Sequence, residues 1–258
     1  MAKKSAMPLI LGAAAAALLL GRKGGGGGGC NANCGDVSSS GGVVAGIRYR
    51  EFRSEGLGAN EEAPMLIRYH GLGSSSGSLD SAGKSWAKLV KGPVRVIVPE
   101  SPRLTSPNKY FTWWALPART SKQDELAAQM SEAALEMNQF LCQIVQCRPT
   151  KGLPVVTGGS QGGSMSYLVA TTSPGLIRGA VAAAGWLPQQ LWSKNIAPIL
   201  ATHGKQDTTV PFNNTWEYWE YLGTDTPFEA IAYDAGHNLS SAMNVYVIKG
   251  VNRLFGYS

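Results

Sequence analysis

From Ile47 to Leu254, short apolar runs alternate with longer stretches of helical periodicity, and this alternation restricts the chain to a narrow set of architectures. The runs 47–52, 65–69, 94–98, 155–157, 179–183, 199–202 and 230–233 have the length and the β-branched or small apolar character of strands. Helical spacing predicts helices over 124–145, 163–172, 214–221 and 240–254. Strands alternating with helices imply an α/β fold, a mostly parallel sheet with helices on both faces. Such sheets bind ligands beyond the carboxyl ends of their strands, so reactive side chains should follow the strands directly. A chain of 258 residues without internal repeats fits one such domain, placed at 43–258.

The first 42 residues read differently. Residues 5–21 carry no charge between Lys4 and Arg22, and a helix of that length covers about 25 Å of a hydrocarbon core about 30 Å thick. Residues 1–23 therefore read as a membrane anchor, with a signal peptide and a packed Ala-rich helix as rivals. The Gly run 24–29 and the Asn, Ser and Gly residues to Gly42 read as a tether, 24–42. Anchored or exported is favoured over cytoplasmic. Six of the 23 Lys and Arg, against Asp36 alone, fall within the first 50 residues, so the net charge of +6 belongs mainly to the tail. The nearly neutral remainder excludes a nucleic-acid surface, which gathers Lys and Arg on one face. Cys30 and Cys34 suit a mutual disulfide if the chain is exported, whereas Cys142 and Cys147 read as small, partly buried side chains near a helix end.

Gly158-Gly159-Ser160-Gln161-Gly162 matches G-x-S-x-G, the turn that lifts a nucleophilic serine clear of a sheet. Gly73-Ser74-Ser75-Ser76-Gly77 matches it too. Context favours Ser160, which directly follows a strand and precedes a helix, whereas Ser75 lies in a Ser/Gly loop. A serine hydroxyl needs a base within hydrogen-bond reach. Of the three histidines, His237 alone follows the last strand, 230–233, and precedes the last helix; His70 and His203, each followed by glycine, precede the nucleophile or the acid and read as loop-shaping residues. Asp207, just beyond the 199–202 strand, completes the order Ser, acid, His of the α/β-hydrolase fold. Asp225 and Asp234 read as solvated turn residues. The main-chain N–H groups of Gln161, after the nucleophile, and of Leu72, in the loop after an early strand, are the nominated oxyanion donors.

With those residues named, the chain resembles the phospholipase/carboxylesterase family, which includes acyl-protein thioesterases. The resemblance rests on His70-Gly71-Leu72-Gly73, Gly159-Ser160-Gln161-Gly162-Gly163, Ala184-Gly185-Trp186-Leu187-Pro188, His203-Gly204 with Asp207 and Val210-Pro211, and Gly236-His237, from about Met65 onward. It implies hydrolysis of small carboxylic esters or thioesters, oxyanion donors at Leu72 and Gln161, and neither metal nor cofactor. The tail is foreign to the cytosolic members, and Asn238-Leu239-Ser240 is a loose version of the segment after the base.

The aromatic connection 100–120 is long enough to lie over the crevice, and Trp113 or Trp114 is expected to wall an acyl or aromatic-ester pocket. Trp216 and Trp219, three apart on a helix, read as core. Two other readings stand beside the esterase: deacylation of a polysaccharide or polyester, and a hydrolase-fold binding protein without activity.

Overall fold

The computed structural model describes residues 34, 37–105, 109–115, 123–238 and 240–258; the apolar 5–21 run lies outside them. Nine strands form one sheet: β1 (Val37–Ser38), β2 (Gly41–Val44), β3 (Ile47–Arg53), β4 (Met65–Tyr69), β5 (Arg95–Pro99), β6 (Val155–Gly159), β7 (Gly179–Ala183), β8 (Ile199–Gly204) and β9 (Phe228–Tyr233). Their spatial order is β1-β2-β3-β5-β4-β6-β7-β8-β9. β1 to β3 pair antiparallel, β3 meets β5 antiparallel, and the six strands from β5 to β9 across the sheet run parallel. β5, β7 and β8 are buried along their whole length, as parallel strands covered on both faces must be.

Among the described residues five α-helices cover the two faces: α1 (Ser76–Leu89), α2 (Gln123–Cys147), α3 (Gln161–Thr172), α4 (Phe212–Leu222) and α5 (Ser241–Phe255). Leu79, Ala87, Val247, Val251 and Phe255 carry α1 and α5 into one core. Met130, Met137 and Phe140 of α2, Tyr167 and Leu168 of α3, and Tyr218 and Leu222 of α4 fill the other. This is the α/β-hydrolase architecture.

Two sequence expectations change at the amino-terminal edge. Residues 37–42 are not tether: they form β1, the turn after it and the first half of β2, with Gly41 opposite Arg50 of β3. Gly41 has φ +145°, and a Cβ there would stand 2.3 Å from the Tyr49 carbonyl oxygen, so the glycine that suggests a linker is what lets this strand close on its neighbour. The cysteines also pair across the chain: Cys34 bonds to Cys147, 113 residues away at the end of α2, and not to Cys30. Cys142 is also disulfide-bonded. Beside this bridge, the buried Glu51 of β3 accepts from Arg148 and Arg95, with the Arg53 guanidinium 3.5 Å away as a third cationic partner.

Sheet order reverses between β4 and β6: the chain leaves β4 toward β5 on one side and returns to β6 on the other. That switch point opens a crevice at the carboxyl ends of β4 and β6, the position where open α/β sheets bind ligands.

Candidate active site

Ser160 stands at the switch point, between the end of β6 and the first turn of α3. Its backbone has φ 57° and ψ −124°, a conformation that costs a non-glycine residue about 1–3 kcal/mol. The strain is held by the Ser160 N–H, which donates to Ala183 O of β7 at 3.0 Å, and by Ser164 N–H, which donates to Ser160 O at 2.9 Å. α3 then passes so close to β4 that a Cβ on Gly162 would lie 2.4 Å from the Tyr69 carbonyl oxygen. Only glycine allows this approach, and it aims the amino end of a buried helix, with its unpaired N–H groups, at the crevice.

His237, on the loop between β9 and α5, reaches the serine: its Nε2 is 3.0 Å from Ser160 Oγ. Its Nδ1 is 2.7 Å from Asp207 Oδ2, beyond β8. A ring nitrogen facing a carboxylate carries the proton, so Nε2 presents its lone pair to the hydroxyl. The ring stays 25% exposed, while the Asp207 carboxylate is fully buried. Among the described residues Asp207 has no Lys or Arg partner; the N–H groups of Thr209 and Val210, each 2.9 Å from Oδ1, balance its charge instead. The three side chains nominated from the sequence are thus brought into one hydrogen-bonded line.

The other candidates separate. Ser75, in the second G-x-S-x-G, is the N-cap of α1, exchanging hydrogen bonds with Ser78 in a capping box. Asp225 and Asp234 lie at the surface in ion pairs with Lys194 and Lys205. Leu72, at the mouth of the crevice, is 42% exposed. Its neighbour Gly71 abuts the elbow, with the position of a Cβ there 3.4 Å from Gly159 O and 3.7 Å from Ser160 Cβ. Gln161 is the first residue of α3, so its N–H has no intrahelical acceptor.

Trp113 and Trp114 do not wall an open pocket. They are 1% and 3% exposed and belong to the core that α2 covers, because residues 112–114 turn inward. The aromatic groove expected for a polymer substrate is not formed by these two rings. Of the tryptophans on α4, Trp219 is buried as expected, whereas Trp216 is 46% exposed and packs on the edge of Phe212 and Trp219. Among the described residues no cluster of three His, Cys, Asp or Glu side chains is placed to hold a metal ion.

Two histidines carry more than sequence reasoning gave them. The buried His203 points Nε2 at Val210 O, 2.9 Å away, and at Asp207 Oδ2, 3.1 Å away. Two oxygen acceptors require Nε2 to bear the proton, and burial lowers the tendency of the ring to take a second one. His203 therefore clamps the acid loop as a neutral donor. The signal was its position four residues before Asp207, on the strand that delivers the acid. His70, also buried, accepts from Ser101 N–H at Nε2 (3.2 Å) and donates from Nδ1 to Gly71 O (2.9 Å). Desolvation pushes its pKa down from 6.5 to about 4, so the ring is neutral at physiological pH.

The sequence profile of the phospholipase/carboxylesterase family matches residues 57–243, more than two thirds of the chain and all of the crevice. The chain belongs to this family. Among curated family relatives, the acyl-protein thioesterase 1 of Gibberella zeae is 26% identical over 175 residues, spanning 59% of this chain and 73% of that protein. That of Cryptococcus neoformans var. neoformans is 29% identical over 164 residues, spanning 57% and 67%. Among solved structures, the esterase PE8 superposes with a TM-score of 0.65 at 18% identity, covering 81% of this chain and 99% of its own. The Bacillus cereus carboxylesterase gives 0.63 at 16% identity, covering 81% and 94%. The Zea mays acyl-protein thioesterase 2 gives 0.60 at 19%, covering 81% and 99%. At these identities the superpositions speak for the fold.

Proposed function

We propose that this family member is a serine hydrolase cleaving small carboxylic esters or thioesters through a covalent acyl-enzyme. The observation that carries the reading is the line Ser160 Oγ, His237 Nε2, His237 Nδ1, Asp207 Oδ2, with 3.0 and 2.7 Å at its two links. Ser160 Oγ attacks the acyl carbon as its proton passes to His237 Nε2, and the carbonyl π pair moves to oxygen. The resulting oxyanion is received by the N–H groups of Leu72 and Gln161, where one donor typically contributes about 3 kcal/mol. Collapse expels the alkoxide or thiolate, which takes the Nε2 proton. Water then repeats the sequence on the acyl-enzyme, releasing the carboxylic acid and restoring Ser160. Asp207 holds the tautomer and stabilises the imidazolium while remaining ionised.

The bonded cysteines support a site of action in an oxidising compartment. Together with the uncharged 5–21 run, which suits membrane association, they favour an exported or membrane-anchored hydrolase. Among the described residues no helix is long and apolar enough to cross a membrane.

A fluorophosphonate probe tests nucleophile and activation together. Labelling is expected at Ser160, with loss of both labelling and activated-ester turnover in Ser160→Ala. Turnover retained by a folded Ser160→Ala protein would refute the assignment.

A further inference from the structure

The two nominated oxyanion donors come from different parts of the chain, one after β4 and one after β6, and each lies three residues beyond the last pair between these strands, Tyr69 with Gly158. A third segment touches both. The buried side chain of Gln161 is gripped by residues 112–114: its Oε1 accepts from Trp113 N–H at 3.0 Å and lies 3.2 Å from Thr112 Oγ1, and its Nε2 donates to Trp114 O at 3.0 Å. This satisfies the amide on both sides and fixes the first residue of α3 to the segment.

The same few residues hold the other half. The Trp113 indole N–H donates to His70 O at 2.9 Å, and its ring stacks on the His70 ring with centroids 4.5 Å apart and planes 18° from parallel. Phe111 exchanges main-chain hydrogen bonds with the next turn: Gly73 N–H donates to Phe111 O at 3.1 Å, and Phe111 N–H donates to Ser74 O at 2.9 Å. Leu72 therefore lies between two residues, His70 and Gly73, that are both bonded to the strap. Internal bonds stiffen the strap itself: Ser101 Oγ donates to Thr112 O, and Thr112 Oγ1 to Trp114 O, each at 2.6 Å.

We propose that residues 111–114 form a strap that sets the distance between the Leu72 and Gln161 N–H groups, with Trp113 as its principal positioning residue. This rests on the oxyanion-hole reading above. It gives the buried indole N–H a role that a hydrocarbon ring could not fill: the indole N–H satisfies the His70 carbonyl immediately before the Gly71-Leu72 turn, while the main-chain N–H of the same residue holds Gln161. Trp113 touches no reacting atom. Its effect is transmitted through preorganisation, and an oxyanion hole is sensitive to displacements well below 1 Å.

The test is Trp113→Phe, which keeps an aromatic ring against His70 but removes the donor to His70 O. With an activated ester, kcat is expected to fall about ten- to fiftyfold with KM within about twofold, since an interaction that matters only for the oxyanion is lost in the transition state. Affinity for an aryl trifluoromethyl ketone, which forms a tetrahedral adduct bearing that oxyanion, should fall by a similar factor. A merely structural role would not tie the two losses together. A folded Trp113→Phe protein with wild-type kcat, or with a kcat loss unmatched in ketone affinity, would overturn the proposal. Should that variant not fold, Thr112→Val decides in its place: it removes the hydroxyl that donates to Trp114 O and lies against Gln161 Oε1, and a three- to tenfold matched loss is expected, with an unchanged kcat overturning the strap. Ser160→Ala is measured alongside. Turnover surviving in Ser160→Ala discards the hydrolase reading itself, whereas a dead Ser160→Ala beside a fully active Trp113→Phe discards only the strap.

Discussion

Acidification places a proton on a ring that has no room for it. His70 is 1% exposed, its Nδ1–H is committed to Gly71 O, and its Nε2 lone pair faces the Ser101 N–H, so protonation would set two N–H groups against each other. Burial is the leading cause that depresses its pKa from 6.5 to about 4, with the nearby Arg68 adding in the same direction. The unfolded chain takes up this proton first. The stability that neutral His70 contributes is therefore fully present above pH 6.5, falls with a slope of about 1.4 kcal/mol per pH unit as the pH drops, and is exhausted near pH 4. Over that window the loss amounts to about 3 kcal/mol. Urea unfolding at half-unit pH intervals measures it, and the comparison protein is His70→Gln, whose amide accepts and donates but does not titrate. The wild-type midpoint should fall by roughly 1 M more than that of the variant between pH 6.5 and 4. His203, whose pKa is also lowered by burial, is present in both proteins and cancels. Parallel midpoint curves for the two proteins would refute the reasoning, because they would mean that the folded state accepts the His70 proton without cost.

Two further perturbations probe the acid loop and the bridge. His203→Phe keeps an aromatic ring beside Phe212 and Trp219 but removes the Nε2–H from Val210 O and Asp207 Oδ2, and kcat for an activated ester should fall about ten- to hundredfold. His203→Gln, with an N–H of similar reach, should recover most of this; equal losses in both would assign the effect to ring packing. Cys34→Ser opens a bridge between residues 113 apart, for which chain entropy gives a ceiling of about 5 kcal/mol. With Cys142 still bonded, a loss of about 2–4 kcal/mol is expected, read as a melting point about 5–15 °C lower by calorimetry. Activity at 25 °C should persist, because Cys147 lies where α2 feeds the amino ends of the strands, opposite Ser160; a collapse of kcat in the folded variant would contradict that separation.

The crevice was legible where chemistry is local. Ser160 was separable from Ser75 because a strand precedes one and a loop the other, and the structure accounts for the second match as a helix cap, a use of serine that shares the same small-residue composition. Asp207 and His237 followed from their rank along the chain, since in a parallel sheet each strand end delivers its loop to the same side. The parts that were not legible depend on contacts between distant segments. Gly41 carries the composition of a tether, and only the approach of Tyr49 O turns it into a strand requirement. Cys34 stands four residues from Cys30 and 113 from Cys147, and sequence proximity pointed to the former. Trp113 and Trp114 are ambiguous in sequence because aromatic side chains on a long connection suit either a ligand or a core, and only their burial decides for the core.

The same distinction explains how the crevice is assembled. The proposed catalytic residues are delivered by strand order, whereas the residues proposed to set the spacing of the oxyanion donors bridge strands that are not consecutive in sequence. β4 and β6 are neighbours in the sheet but are separated in the chain by α1, β5 and α2, so a segment drawn from that excursion can tie their loops together beyond the last paired residues. Residues 111–114 lie in it, between β5 and α2, which places Trp113 within reach of His70 and Gln161 at once. A topological switch point thus provides more than an open crevice: the crossover that creates it supplies the chain that can brace its two sides.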